Sequence, residues 1–533
     1  MVHVSPSRST LAFNGVVAAP HILAAEAGVA VLRNGGTAMD AAIATNAVLT
    51  VMYPHQTTVG GDLFLLYHEA STGKLHALNG SGRSAMGTSR EFVRVAGHER
   101  MPIRGVHAIT VPGTVDAWVT AQRAFGRFTL ADVLQPAINY ASEGFPVSVK
   151  LAAGLRMAEP LLQGDPQAHA TYIPGGIVPV VGQRLRLPAL ADSLRLISAQ
   201  GRDAFYTGAI GERIAATVHR LGGALNMADL AAHRSEWTEP VLSTYRDVTV
   251  AEFPPNSQGI TALIELNLAE LSEPSPTWGS AAHLHPLIEA KKIAFDVRNR
   301  NLSDPDHTEM DVPHLVSKAY AGELWSRYDP TRAGTGQPDA DADTVAICVV
   351  DRDGNAAAMI QSQYMGFGSG IMADGTGIML QNRGGYFSLD DDHPNRLEPG
   401  KRTLHTLMPG MLYRDGQLAG PLVTQGGDAQ AQVHLQLVTS LVDYDLWDNP
   451  QFVLDLPRWV SGGDRDEPDT LLQVEERFEP ETIDELTAMG HVVQTIAPFA
   501  SNVGLAQLIL RNPESGLLLG ASDCRADGVA LGL

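Results

Sequence analysis

One pattern fills most of the last third of the chain, and it narrows the fold class more than any other feature. "VAICVVDRDGNAAAMIQS" turns at Asp353-Gly354-Asn355, "GMLYRDGQLAGPLVTQ" at Asp415-Gly416, and "LAQLILRNPESGLLLGAS" at Pro513 to Gly516. An earlier copy, "LFLLYHEASTGKLHALN", turns at Ser71-Thr72-Gly73. Short apolar runs joined by Gly, Asn and Asp are β-hairpins. The runs are nearly continuous rather than alternating, so both faces of each sheet must be covered. Helical segments such as "QVHLQLVTSLVDYD" and "PETIDELTAMG" lie between them. The expected architecture is an α/β/β/α sandwich of two stacked sheets covered by helices.

The N-terminal part supplies covering helices. "HILAAEAGVAVLRNGG" is an Ala-rich helix stopping at Asn34-Gly35-Gly36, a left-handed cap sequence. "TAMDAAIATNAVLTVMYP" is apolar on nearly all faces, which marks a buried helix, and Pro54 ends it. From about 110 to 330 the chain reads as mostly helical. Residues 331–343, "TRAGTGQPDADAD", hold no large apolar side chain and read as a linker.

Composition excludes several function classes. Lys and Arg number 38 against 59 Asp and Glu, a formal charge of −21. Such a surface repels phosphate backbones, so nucleic acid is not an expected partner. Two cysteines, Cys348 and Cys524, are too few for a disulfide framework. The first residues lack the apolar core of a signal peptide, and no run is long enough to span a membrane, so a cytoplasmic placement is expected. There is no G-x-S-x-G elbow, Walker A loop or H-E-x-x-H helix. "GFGSGIMADGTG" does not match a dinucleotide loop. His283 and His285 lack the carboxylate or cysteine company of a metal site. Neither metal nor cofactor is expected.

One position stands out. The acidic run stops at Asp343 and an apolar strand starts at Thr344. A threonine there is either a β-branched residue opening a strand or a nucleophile awaiting cleavage of the bond before it.

Ordered motifs favour the second reading. "HILAAEAGVAVLRNGGTAMDAAIATNAVLTVMYPH", "VGGDLFLLY", "FPPNSQGITALIELNLAEL", "EAKKIAFDVRNRNLSDPD", "DTVAICVVDRDGNA", "FGSGI", "KRTLHTLMPGM", "QGGDAQAQVHLQLV" and "GASDCRADG" follow one another along the whole chain. In that order they resemble the γ-glutamyltransferase family of N-terminal-nucleophile hydrolases. The resemblance implies self-cleavage between Asp343 and Thr344 into 1–343 (large) and 344–533 (small, catalytic), which stay together as one unit. Thr344 is then the nucleophile and its freed α-amine the base, since an α-amine is neutral often enough near physiological pH. Gly426 and Gly427 match the glycines of an oxyanion hole, and Ser362 a second hydroxyl beside the amine. Arg83 matches an arginine gripping the substrate carboxylate, while His405 and Thr406 stand where adjacent serines meet the acyl group.

The departure lies in "MLQNRGGYFS". Residues that hold the α-amino group of a glutamyl donor are replaced by Arg383 and Tyr386, and an arginine repels an ammonium. This look is typical of a divergent branch containing oxamate amidohydrolase-like and glutaryl-cephalosporin-acylase-like members. The expected function is amide hydrolysis or acyl transfer through an acyl-Thr344 intermediate on a small carboxylate-bearing amide, γ-glutamyl or related. An oxamate- or glutaryl-amide hydrolase without γ-glutamyl activity is the alternative, and an unprocessed binding protein is the other. A homodimer of processed protomers is compatible with the sequence.

Overall fold

Two seven-stranded antiparallel sheets lie face to face with helices on both outer sides. The computed structural model describes residues 8–335, 343–462 and 471–533, so most of the linker, 336–342, lies outside the described residues. The fourteen sandwich strands are β1 (Thr10–Ala12), β2 (Gly15–Ala19), β3 (Asp62–Glu69), β4 (Lys74–Gly80), β5 (Glu236–Thr238), β6 (Val241–Tyr245), β7 (Val248–Glu252), β8 (Asp343–Asp351), β9 (Ala356–Tyr364), β10 (Gly410–Arg414), β11 (Gln417–Gln425), β12 (Leu505–Arg511), β13 (Leu518–Ser522) and β14 (Val529–Gly532). The first sheet runs β14-β2-β8-β9-β3-β4-β5 and the second β1-β13-β12-β11-β10-β7-β6. Each sheet combines strands from both sides of residue 343.

The continuous apolar runs have the expected cause. Along β8, Ala346, Cys348 and Val350 enter the core between the sheets, where they meet Phe64, Leu66, Val423 and Ile509. The intervening Val345, Ile347 and Val349 face the outer helices. Period-two alternation is present, but both phases are buried. Helix α1 (Ile22–Arg33) gives way to Gly35 at φ +92°, and α2 (Ala38–Met52) opens with a Thr37/Asp40 capping box. Every residue of α2 is buried. On the other side α3 (Gly259–Ala269), α4 (Ala281–Asn301) and α5 (Ala429–Asp443) pack on the second sheet through Leu263, Leu266, Leu284 and Leu437.

The stretch expected to be mostly helical is interrupted between Ala232 and Gly259, where it supplies β5, β6 and β7. β6 is an edge strand with every second residue exposed, and its turn at Arg246 adopts φ +54° without a glycine. That is why no turn signal stood in the sequence. Among the described residues no helix is long and apolar enough to cross a membrane.

Candidate active site

Thr344 lies one residue into β8, at an irregularity in the ladder. Asp343 pairs with Tyr364 and Val345 with Gln361, so one residue of β8 faces two of β9. The bulge re-aims the intervening side chain. Thr344 is fully buried, and its Oγ1 has no hydrogen-bond partner among the described residues. Opposite it, the Ser362 hydroxyl donates to the Asp343 carbonyl oxygen at 2.5 Å and accepts from the Tyr364 N–H at 2.7 Å. The carbonyl of the Asp343–Thr344 bond is therefore held by one hydroxyl and bonded to a residue carrying another. Tyr364 itself stands at φ +78°, a strained conformation for a bulky side chain.

Tyr364 leads on to Arg383. The guanidinium lies 4.5 Å from the centre of the Tyr364 ring and donates through Nη1 to Thr406 Oγ1 at 3.1 Å. It is buried, with Nε and Nη2 unpartnered, and no carboxylate lies within ion-pair distance among the described residues. Burial lowers its pKa from the ordinary arginine value, against the pull of Asp62. An arginine so placed is short of an anion.

Gly426 and Gly427 connect β11 to α5 with φ of +131° and +59°, values that side-chain-bearing residues rarely adopt. Among the described residues neither N–H is given to another group. The loop is braced from behind. Gln258 Nε2 donates to the carbonyls of Gly427 (3.0 Å) and Thr406 (2.9 Å), and Gln258 Oε1 accepts from Arg298 at 2.8 Å. Arg298 pairs with Asp428 at 2.9 Å, and Asp428 accepts the Tyr386 hydroxyl at 2.7 Å. One network thus joins the glycine loop, the 405–406 segment and the 383–386 turn.

Arg83 and His405, both expected at the substrate, each have carboxyl partners within the protein. Arg83 gives Nη1 to Asp304 (3.1 Å) and Nη2 to Asp306 (2.5 Å), with Glu236 at 3.6 Å. Three carboxylates surround its guanidinium. His405 is fully buried. Its Nδ1 accepts from the Leu407 N–H at 3.3 Å, which leaves the hydrogen on Nε2, donated to Asp62 Oδ2 at 3.1 Å. Burial, with the Arg383 charge, holds this imidazole far below the usual histidine range. Asp62 is fully buried and pushed up to about 7 by that burial, with Arg383 opposing.

Asp62, Gln258, Arg298 and Asp428 were not singled out from the sequence. Each lies inside a motif quoted for its glycines or prolines, so the signal was a polar residue flanking a motif glycine or ending a motif helix. A separate cluster, His285, Glu289 and His491, brings three ligand-type groups together. Lys292 sits among them, 2.8 Å from Glu289 Oε1, and supplies the positive charge there.

The family model of gamma-glutamyltranspeptidase matches residues 24–533. A Bacillus subtilis (strain 168) protein named glutathione hydrolase-like YwrD proenzyme is 40% identical over 99% of this chain and 100% of its own. The chain belongs to the γ-glutamyltranspeptidase family. Within it, the oxamate amidohydrolase proenzyme of Klebsiella pneumoniae is 36% identical over 98% of this chain and 99% of its own. A crystal structure of cephalosporin acylase from Bacillus halodurans superposes with a TM-score of 0.93 at 38% identity, covering 100% and 98% of the two chains. A Helicobacter pylori γ-glutamyltranspeptidase structure aligns less completely, with a TM-score of 0.57 at 27% identity over 62% of this chain and 95% of that one. This γ-glutamyltranspeptidase-family member is an amidohydrolase with the N-terminal-nucleophile fold.

Proposed function

We propose that the chain cuts itself between Asp343 and Thr344 and that Thr344 then hydrolyses small amides whose acyl half carries a carboxylate. The Thr344 hydroxyl would pass its proton to the freed α-amine and bond to the amide carbonyl carbon; the carbon–nitrogen bond breaks as that proton is handed to the departing amine, and water then cleaves the acyl ester to the acid, restoring the hydroxyl. Gly426 and Gly427 would stabilise the oxyanion through their N–H groups. Ser362 would orient the amine. Relatives named as proenzymes, and an unpartnered hydroxyl on Thr344, support the processing step.

Donor class rests on one observation: Arg383 is buried beside the site with Nε and Nη2 unspent. A carboxylate matches two such donors on a planar guanidinium. An α-ammonium does not, and the carboxylate that could have met it, Asp428, is engaged by Arg298 and Tyr386. Oxamate-type and glutaryl-type amides are therefore preferred over γ-glutamyl donors by about tenfold or more, equivalent to about 1.4 kcal/mol in the barrier.

A denaturing gel with N-terminal sequencing, followed by a donor panel, tests both steps. The 56.8 kDa chain should divide as 343 to 190 residues, about 37 and 20 kDa, with the smaller band starting Thr-Val-Ala-Ile. Thr344→Ala should stay whole. Arg383→Gln should lower kcat/KM for carboxylate donors by about a hundredfold, the usual cost of losing a buried charge partner, and narrow the gap to γ-glutamyl anilides. Higher kcat/KM for glutathione than for its deamino analogue would refute the donor assignment.

A further inference from the structure

Glycine lets the backbone come close to a developing oxyanion, and it also lets that backbone turn away. Gly427 stands at φ +59° with no Cβ to restrict it, so its peptide groups must be fixed from outside the residue. The Gly426 carbonyl accepts from the Ala429 N–H at 3.0 Å. That aims the N–H on the opposite side of the same planar peptide, which belongs to Gly427. The Gly427 carbonyl accepts from Gln258 Nε2 at 3.0 Å and from the Gln430 N–H at 3.3 Å. Gln258 is fully buried and reaches the loop from the start of α3, in the part of the chain before residue 343.

The chemistry around this amide fixes its orientation. Arg298 has only donors, so the Gln258 atom 2.8 Å from its Nη1 is the oxygen. The NH2 group then faces the carbonyls of Gly427 and Thr406, which only accept, and gives one hydrogen to each. The two carbonyls differ in what else secures them. Segment 405–407 is also clipped by the His405 N–H to the Asn256 carbonyl (2.7 Å), the Gln258 N–H to the His405 carbonyl (2.8 Å) and the Ser257 hydroxyl to the Leu407 carbonyl (2.6 Å). None of these uses the Gln258 side chain. Without that side chain the Gly427 carbonyl would keep only the Gln430 N–H, so a change there falls on the glycine loop.

We infer that Gln258 is a positioning residue for amide hydrolysis: its side-chain amide holds the Gly427 carbonyl so that the Gly427 N–H stays aimed at the reacting carbonyl oxygen. It rests on the reading above in which Gly426 and Gly427 stabilise that oxygen. An oxyanion donor acts where charge develops, in the transition state, so its misplacement lowers kcat and leaves KM nearly unchanged. Arg383, assigned above to the donor's carboxylate, is untouched by a change at Gln258.

Processed wild type and Gln258→Met should be compared on glutaryl-p-nitroanilide, with rates taken per mole of processed chain. Methionine is close to glutamine in length and removes both donors. kcat should fall at least about tenfold, since losing an oxyanion donor outright costs about 10²–10³, while KM moves less than about threefold. Two inhibitors separate aim from general loosening. 4-Boronobutanoic acid takes the Thr344 oxygen as a fourth ligand on boron, the hydroxyl proton passing to the α-amine, and sets a boron-bound oxygen where the oxyanion forms. Glutarate does neither. Q258M should lose at least about tenfold in affinity for the boronate and less than about threefold for glutarate. Q258E keeps the shape and the Arg298 partner but offers at most one hydrogen to two carbonyls, so it should show the same split, and it decides the matter if Q258M does not fold. Equal losses for the two inhibitors, or an unchanged kcat, overturn the inference. A wild type that binds the boronate no more tightly than glutarate removes the oxyanion reading, and this inference with it.

Discussion

A guanidinium and a carboxylate buried in one site set each other's charge, and Arg383 with Asp62 are such a pair. They are not in direct contact, yet each is the foremost charge acting on the other. Asp62 holds its place through the Gly82 N–H and Gln381 Nε2, both at 3.0 Å, and through His405. Burial raises its pKa to about 7 against an ordinary value of about 3.9. In the window between, the folded protein keeps a proton that the unfolded chain has released. Stability contributed by this group is therefore complete below about pH 4 and falls as pH rises towards 7. Relative to Asp62→Asn, the wild type should lose up to about 1.4 kcal/mol per pH unit across that window. Denaturant midpoints from pH 4.5 to 8 measure this directly. Parallel curves for the two proteins would show that Asp62 is ionised throughout.

Among elements, the crossing of α1 and α2 is a tight joint on the outer face of the first sheet. A Cβ on Gly28 would lie 2.3 Å from Thr45 Oγ1 and 3.0 Å from Val17. Thr45 cannot easily yield, because its hydroxyl donates to the Ala41 carbonyl at 2.8 Å inside a fully buried helix. Alanine in place of a mid-helix glycine normally gains about 1 kcal/mol of helix propensity, whereas overpacking a core costs about 1–3 kcal/mol. The clash should win, so Gly28→Ala is expected to lower the thermal midpoint, and a rise would mean that the helices separate without cost. At this scale the sequence was most legible. Hairpins turning at Gly354, Gly416 and Gly516 and the all-apolar α2 declare themselves through local chemistry. The strands β5, β6 and β7 do not, because a short edge strand with an Arg246 turn carries neither a glycine nor a long apolar run. The site divides the same way. Thr344, Ser362 and the paired glycines stand in motifs, and Arg383 stands out as a substitution within one. The engagement of Arg83 by Asp304, Asp306 and Glu236, and of His405 by Asp62, depends on segments far apart in the chain, which no local pattern reports.

For the whole molecule, the proposed cut at the 343–344 bond would leave the two halves held by their shared sheets. In the first sheet, β2 from the N-terminal side lies between β14 and β8 from the C-terminal side, and β9 pairs with β3. In the second, β1 pairs with β13 and β10 with β7. Every one of these ladders crosses the cut, and the core between the sheets draws Phe64, Leu66 and Phe253 from one fragment and Ile360, Val423 and Ile509 from the other. Separation would expose that core and leave long unpaired strand edges, which chains in water do not tolerate. The processed protein should therefore elute in native size-exclusion as one particle containing both fragments at nanomolar concentration, and should unfold in one cooperative transition. Residues 344–533 expressed alone lack β2 and β3 on either side of β8 and β9, so they should be insoluble or show no cooperative unfolding by circular dichroism. Elution of the two fragments in separate peaks without denaturant would show that helix packing and loops, rather than the shared ladders, had been holding the halves in place.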